Sequence, residues 1–304
     1  MRYFDLHCDT LYRAINEGKT LDEPKFHLSI SKGKRFEQWV QCMAVWVPDD
    51  ITDEAAWQLF NDAYNKLINE AKTESVKLCT TAEDVKSEKT TFIFTLENAK
   101  AIGNDIAKIA TLARCGVKIV TLTWNAENAI GGGSQAQDIG LKPFGRLAVA
   151  EFEKQGVVCD ISHASDKLFW DVAKVAQKPI IATHSNSRRI TPHMRNLTDE
   201  QFLYLANNKG LVGLNFAQIF LNENPDKSAI CDIIKHAEHF LSLNSAAEDV
   251  LCIGSDFDGA DMPKGIIGIE SIPDLYEDFF KANYSESLLE KIFLKNARNF
   301  FANL

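Results

Sequence analysis

The chain has 304 residues, 45% hydrophobic and 25% charged, the balance of an ordinary soluble globular protein rather than a disordered or fibrous one. Its net charge of -9 argues against nucleic acid as a partner, because phosphate binding needs a basic footprint. The start of the chain holds no apolar run of signal-peptide length, and no stretch approaches the roughly 18 apolar residues of a membrane span, so a cytoplasmic protein without membrane contact is expected.

In chain order, short β-branched and apolar runs alternate with segments of helical period. The first run is YFDLHC (3–8), followed by a polar, irregular stretch at 18–37 that reads as a long loop over the end of the strand. VQCMAVWV (40–47) comes next, then a helix over 53–72 whose apolar stripe is Ala56, Leu59, Phe60, Ala63, Leu67 and Ile68. TTFIFTLE (90–97), VKIVTLTW (117–124), GVVCDISH (156–163), PIIATHS (179–185), LVGLNFA (211–217) and DVLCIGSDFD (249–258) complete eight strand-like runs. Helices are expected between them at 105–114, 144–155, 166–176, 199–207 and 228–243, and after the last at 286–301, with Ser165 and Thr198 as N-caps. Without a linker or composition shift, this alternation predicts one domain over residues 1–304, a parallel (β/α)8 TIM-type barrel, with a doubly wound open sheet as the alternative.

Ionisable residues collect at the C-terminal ends of these runs, where a barrel of this type gathers its active site. His7 and Asp9 close the first run, Glu97 the third, His163 the fifth and His184 the sixth, and Asp256 lies in the last. Imidazole and carboxylate together suit Zn²⁺ or a similar divalent ion, and five such ligands hold two ions if one carboxylate, here Glu97, bridges them. Strict alternation would put His7 and Asp9 on the face of Asp5, with Asp5 one layer deeper in the barrel and Cys8 turned toward the helices. The seven cysteines, scattered and never in a C-x-x-C pair, are expected to be reduced. Elsewhere the blander reading is preferred: Asp232, His236 and His239 as a solvated helix face, His27 and His193 as exposed loop residues, Arg188 and Arg189 as solvated charges, and the glycines at 131–133 as a flexible turn.

The motifs DLHCDT, FTLENAK, TLTWNAEN, GVVCDISHAS, IIATHSNSR and GSDFDG, in that order and from end to end, resemble the membrane (renal) dipeptidase family of zinc metallopeptidases among the amidohydrolase-like barrels. The resemblance implies a dipeptidase with two zinc ions on His7, Asp9, Glu97, His163 and His184, and with Asp256 moving the proton. It further implies that Arg195, in HMRNLTDEQ, holds the C-terminal carboxylate of a dipeptide, and that the chain forms a homodimer. Trp124 stands where many members carry a histidine that contacts substrate, with Asn125 beside it as a substitute donor. The expected chemistry is attack by a metal-bridged hydroxide on the peptide bond, including that of dipeptides with a C-terminal D-residue. Hydrolysis of another amide or a lactone, and a non-catalytic metal- or ligand-binding barrel, are the alternative readings.

Overall fold

The computed structural model describes residues 1–73 and 76–304. Among the described residues eight parallel strands form one sheet: β1 (Arg2–Asp5), β2 (Gln38–Trp46), β3 (Lys77–Leu78), β4 (Thr91–Glu97), β5 (Val117–Thr121), β6 (Val158–Asp160), β7 (Val212–Leu214) and β8 (Leu251–Ile253). Neighbours run β6, β5, β4, β2, β1, β8, β7, and β3 flanks the first residues of β4. Between β6 and β7 the chain at Ile181 bridges to Asp160 and at Ala182 to Val212, so the sheet curls round as the (β/α)8-type barrel that the alternation predicts. Among the described residues no helix is long and apolar enough to cross a membrane.

Membership of the strands differs from the sequence reading in two places. The run 179–185 is not a regular strand. Its first residue, Pro179, has no N–H to donate, and the carbonyl of Thr183 is wedged between β7 and the end of β8, where Cβ atoms on Gly213 and Gly254 would lie 1.9 and 1.8 Å from it. Conversely, β3 is only two half-buried residues long, too short to leave a period-two signal.

Packing follows from the strand faces. Phe4, Leu6, Val40, Cys42, Ile93 and Ile119 fill the barrel, and Phe301 of the last helix stacks on Phe4 at 5.5 Å. Tyr3, Trp39, Met43, Phe92 and Phe94 face the surrounding helices. The helix Asp53–Thr73 buries Ala56, Phe60, Ala63, Leu67 and Ala71, close to the expected stripe, with Leu59 only partly covered. Ser165 and Thr198 cap their helices as expected, each accepting from the backbone N–H three residues on, at 2.9 and 3.3 Å. The stretch 18–37 is less polar in its packing than its composition suggests: Leu21, Phe26, Leu28 and Ile30 are buried. Asp258 pins it, accepting from the N–H of His27 at 2.7 Å and from Arg13 at 3.0 Å, while its own N–H donates to His27 Nδ1. The glycines at 131–133 are packed rather than flexible, since a Cβ on Gly133 would lie 2.0 Å from the carbonyl oxygen of Trp124.

The close approach at Thr183 has a measurable consequence. Gly254→Ala forces a Cβ onto the backbone carbonyl of Thr183, and overpacking of this kind should lower the unfolding free energy by about 1–3 kcal/mol. Urea unfolding tests this, and a variant as stable as the wild type would contradict the wedge.

Candidate metal centre

Glu97 ends β4 itself, and short arms carry the other strand-end residues into the mouth of the barrel, two buried aspartates shaping those of His7, His163, His184 and Asp256. Asp5 accepts from the N–H of His7 at 3.2 Å, from the N–H and Oγ of Ser255 at 2.9 and 2.6 Å, and from the hydroxyl of Tyr3 at 3.0 Å. The bond to His7, two residues on, is an Asx turn that bends the chain at Leu6 and resets the side-chain alternation. Asp5 is therefore buried and hydrogen-bonded, as expected, but on the outward face with Tyr3 rather than one layer below His7. Cys8 is turned away from the site, its Sγ 3.5 Å from Met43 Sδ. Asp160 accepts from Thr121 Oγ1, the N–H of Ser162, and the N–H and Oγ1 of Thr183, at 2.6 to 3.0 Å. Backbone strain finishes the aiming: Asn98, His163 and Asp256 adopt φ of 76, 68 and 63°, a region that non-glycine residues enter only when their surroundings hold them there.

These arms bring together all six strand-end residues expected from the sequence. Their relative exposures run from 1% at His184 to 8% at His163 and Asp256. Glu97 turns its two oxygens to different neighbours. Oε1 lies 2.9 Å from His163 Nε2 and 3.7 Å from His184 Nε2, whereas Oε2 lies 3.5 Å from His7 Nε2. His7 Nε2 is also 3.3 Å from Asp9 Oδ2 and 3.9 Å from Asp256 Oδ1. Two potential ligand trios, His7–Asp9–Glu97 and Glu97–His163–His184, thus share one carboxylate.

The hydrogen-bond pattern shows what the cluster is built to hold. Thr183 Oγ1 gives its single proton to Asp160, so it accepts from His184 Nδ1 at 2.7 Å. Asn125 Oδ1 accepts from His163 Nδ1 at 3.1 Å. Both rings carry their proton on Nδ1, leaving two Nε2 lone pairs facing each other at 3.1 Å with a Glu97 oxygen beside them. One proton on Glu97 could satisfy only one ring. Asp9 Oδ1 is buried with no hydrogen-bond partner among the described residues. A buried set of imidazole lone pairs and carboxylate oxygens without enough protons is satisfied by a divalent cation.

The protonation equilibria follow. Burial, reinforced by Asp9, pushes the Glu97 carboxyl well above the usual range. Burial, with Arg195 beside one ring and His7 beside the other, keeps His163 and His184 neutral. Burial opposes charge on His7, but Asp9 and Glu97 outweigh it and raise the imidazole to about 10. Asp256 is raised to about 6, chiefly by burial, while Asn215 Nδ2 donates to its Oδ2 at 3.0 Å and leaves Oδ1 toward the site.

Arg195 is buried beside this cluster. Its Nη1 donates to Ser185 Oγ and its Nη2 to the carbonyl of His184, at 2.9 and 3.0 Å, and Nε has no partner among the described residues. Trp124 is half-buried, edge-on to Trp46 at 4.9 Å and 6.0 Å from the ring of His163. Asn125 has its oxygen committed to His163 and to Ser134 Oγ, so in this structure it orients a histidine, where the sequence suggested a donor to substrate. Sequence reasoning missed Trp46 and Tyr12, which stack edge-on at 4.9 Å and extend the aromatic wall. Trp46 ends β2 opposite Glu97, so the strand-end rule applied to aromatic residues would have found it. A cavity of about 790 Å³ opens at the opposite end of the barrel, beside Val157, Leu211 and Val250, and contains none of these groups.

Three other expectations are corrected. His236 is fully buried because the helix Ile230–Leu243 packs under the segment 187–191 as well as against the core, and Asp232 is nearly so, accepting from Asn222 Nδ2 and the N–H of Ala229 at the start of the helix. The N–H of Ser187 donates to His236 Nδ1 at 3.0 Å, so Nε2 carries the proton, donated to the carbonyl of Leu221 at 3.1 Å. Arg188 is not simply solvated, since it forks onto Asp166 with bonds of 2.7 and 2.8 Å. His27 and His193 are half-buried rather than exposed.

A profile of the membrane dipeptidases, peptidase family M19, matches residues 1–302. A metallopeptidase of Rhodobacter sphaeroides, its crystal structure liganded with a phosphinate mimic of the dipeptide L-Ala-D-Ala, superposes with a TM-score of 0.92 at 27% identity, over 99% of this chain and 98% of its own. Dipeptidase AC, an M19 metallopeptidase, superposes with a TM-score of 0.92 at 28% identity over the same shares. Dipeptidase tcpJ of Claviceps purpurea is 28% identical over 260 residues, 80% of this chain but 60% of the relative, so the chain spans less than two thirds of that protein.

Burial lowers His236 from its ordinary value of 6.5 to about 4, against weaker raising pulls from the Leu221 carbonyl and Asp232. Protonation then favours the unfolded chain: the contribution of this residue is intact above pH 6.5 and is lost as the pH falls to about 4, a difference of about 3 kcal/mol. His236→Gln keeps a donor and an acceptor but cannot titrate. Between pH 7 and pH 4 the unfolding free energy of the wild type should fall by about 3 kcal/mol more than that of the variant; parallel profiles would contradict the buried neutral ring.

Proposed function

Because the chain belongs to the membrane dipeptidase family, we propose that it is a zinc-dependent dipeptidase holding two ions per chain on His7, Asp9, Glu97, His163 and His184. The observation that carries this reading is the division of labour at Glu97, whose Oε2 faces His7 and whose Oε1 faces His163 and His184. When bound, the ions supply Lewis acidity for the scissile carbonyl and a water acidified enough to react near neutral pH.

The remaining work falls to the chain itself. Asp256 Oδ1 faces His7, and its burial raises its proton affinity into the range where a carboxylate can accept a proton from the attacking water and return it to the departing amine. Asn215 holds the other oxygen and so fixes which one reacts. Arg195 pairs with the C-terminal carboxylate of the dipeptide, using guanidinium hydrogens left free by Ser185 and the His184 carbonyl. Fixing that carboxylate beside the reacting carbonyl measures the substrate, which restricts it to dipeptides. Tyr12, Trp46 and Trp124 wall the mouth and limit water. The Rhodobacter relative, liganded with a mimic of L-Ala-D-Ala, supports including dipeptides with a C-terminal D-residue. A single catalytic domain, a homodimer and a cytoplasmic location complete the reading, and seven free cysteines accord with a reducing compartment.

Zinc-loaded protein should hydrolyse L-Ala-L-Ala or L-Ala-D-Ala and lose that activity on chelation; no turnover of any L,L or L,D dipeptide after zinc loading would contradict the proposal. Asp256→Asn should keep its metal and lose about 10²–10⁴-fold in kcat, and activity equal to the wild type would remove the proton shuttle. Arg195→Lys should lose about 10–100-fold in kcat/KM for dipeptides, the worth of a charged hydrogen bond. The same variant should discriminate less between a dipeptide and its C-terminal amide, and undiminished discrimination would refute the clamp.

A further inference from the structure

The two trios that share Glu97 are supported differently by the chain around them. On one side, Asp160 reaches both histidine arms at once. Its Oδ1 accepts from the N–H groups of Ser162 and Thr183, at 2.9 and 3.0 Å, which fixes the backbone immediately before His163 and His184. Its Oδ2 accepts from Thr183 Oγ1 at 2.6 Å, and that hydroxyl, with no proton left to give, takes the Nδ1 proton of His184 at 2.7 Å. The result is a continuous chain of carboxylate, hydroxyl and imidazole ending on the Nε2 lone pair. All three members are buried, with exposures of 0, 1 and 1%. On the other side, Asp5 anchors the backbone of His7 in a similar way but touches no imidazole, and Asp9 Oδ1 has no partner among the described residues.

We propose that Asp160, acting through Thr183, is the positioning residue that selects the His184 tautomer and makes the Glu97–His163–His184 half of the centre the tighter of its two ion sites. This rests on the two-ion reading above. Removing the hydroxyl leaves the Nδ1 proton of His184 without an acceptor, so the ring is free to turn or to move its proton to Nε2, which cannot then ligate. Outer partners of a ligating histidine commonly contribute 10–100-fold in metal affinity, and polarisation along the chain from Asp160 makes Nε2 a better donor.

Thr183→Val conserves the side-chain shape and deletes only the hydroxyl, whereas Thr183→Ser restores it. The measurement is zinc affinity by competition with a chromophoric chelator on full-length metal-depleted protein, with zinc content after dialysis and melting of the metal-free form recorded alongside. In the wild type two ions should titrate with distinct affinities. Thr183→Val should weaken the tighter ion about 10–100-fold, leave the weaker one unchanged, and, having lost one of the four hydrogen bonds to Asp160, melt only a few degrees below the wild type when metal-free. Thr183→Ser should recover most of the affinity. A valine variant that binds both ions as tightly as the wild type would overturn the proposal. So would equal weakening of both ions with a lowered metal-free melting temperature, which marks damage to the fold. A wild type that binds fewer than two ions would instead overturn the two-ion reading, and the selectivity claim with it.

Discussion

Two buried carboxylates, Asp5 and Asp160, organise the mouth of this barrel, and among the described residues neither has an ion-pair partner. Each is satisfied by four hydrogen bonds from backbone N–H groups and hydroxyls. An ionised carboxylate is costly to bury unless such donors surround it. That cost makes the arrangement specific, because a strand end that drifts strands a charge. Asp5 ties the arm bearing His7 to the arm bearing Asp256 across the β1–β8 seam. Asp160 ties those bearing His163 and His184 where β6 meets the irregular segment at 181–185.

Around these anchors the fold accepts local strain to aim its side chains. His163 and Asp256 sit at positive φ, and Asn98, also strained, follows Glu97 directly. Thr183 is pressed between two glycines, and that contact sets the height at which His184 enters the mouth. Burial does the electrostatic work, keeping two rings neutral and raising Asp256 and Glu97. A centre that gathers negative charge and lone pairs in so dry a place is stable when a cation occupies it. Arg195 adds a fixed positive group, itself oriented by Ser185 and the His184 carbonyl.

Much of this was legible in the sequence because one rule does most of the placing: side chains at C-terminal strand ends converge. His7, Asp9, Glu97, His163, His184 and Asp256 all obeyed it, although three of the strands that lead to them, β1, β6 and β8, are only three or four residues long and His184 lies in a segment that is not a regular strand. The rule fails where the chain leaves regular geometry. Alternation would put Asp5 beneath His7, but an Asx turn resets the count at Leu6. Asn125 looked like a spare donor because sequence does not reveal that His163 Nδ1 needs an acceptor. His236 looked solvated because the apolar stripe of its helix marks the face toward the core and is silent about a polar segment packed on the flank. The stretch 18–37 reads as polar, yet Leu21, Phe26, Leu28, Ile30 and Phe36 are buried in it, and Asp258 holds its backbone down at His27.

In the proposed centre one carboxylate, Glu97, would serve two zinc ions in a cage whose lone pairs are pre-aimed by the anchors behind them. Anomalous diffraction at the zinc edge from crystals of the zinc-loaded protein tests it most directly. Two peaks per chain are expected, one beside Glu97 Oε1 with His163 and His184, the other beside Oε2 with His7 and Asp9. A single peak, or zinc bound away from Glu97, would contradict it.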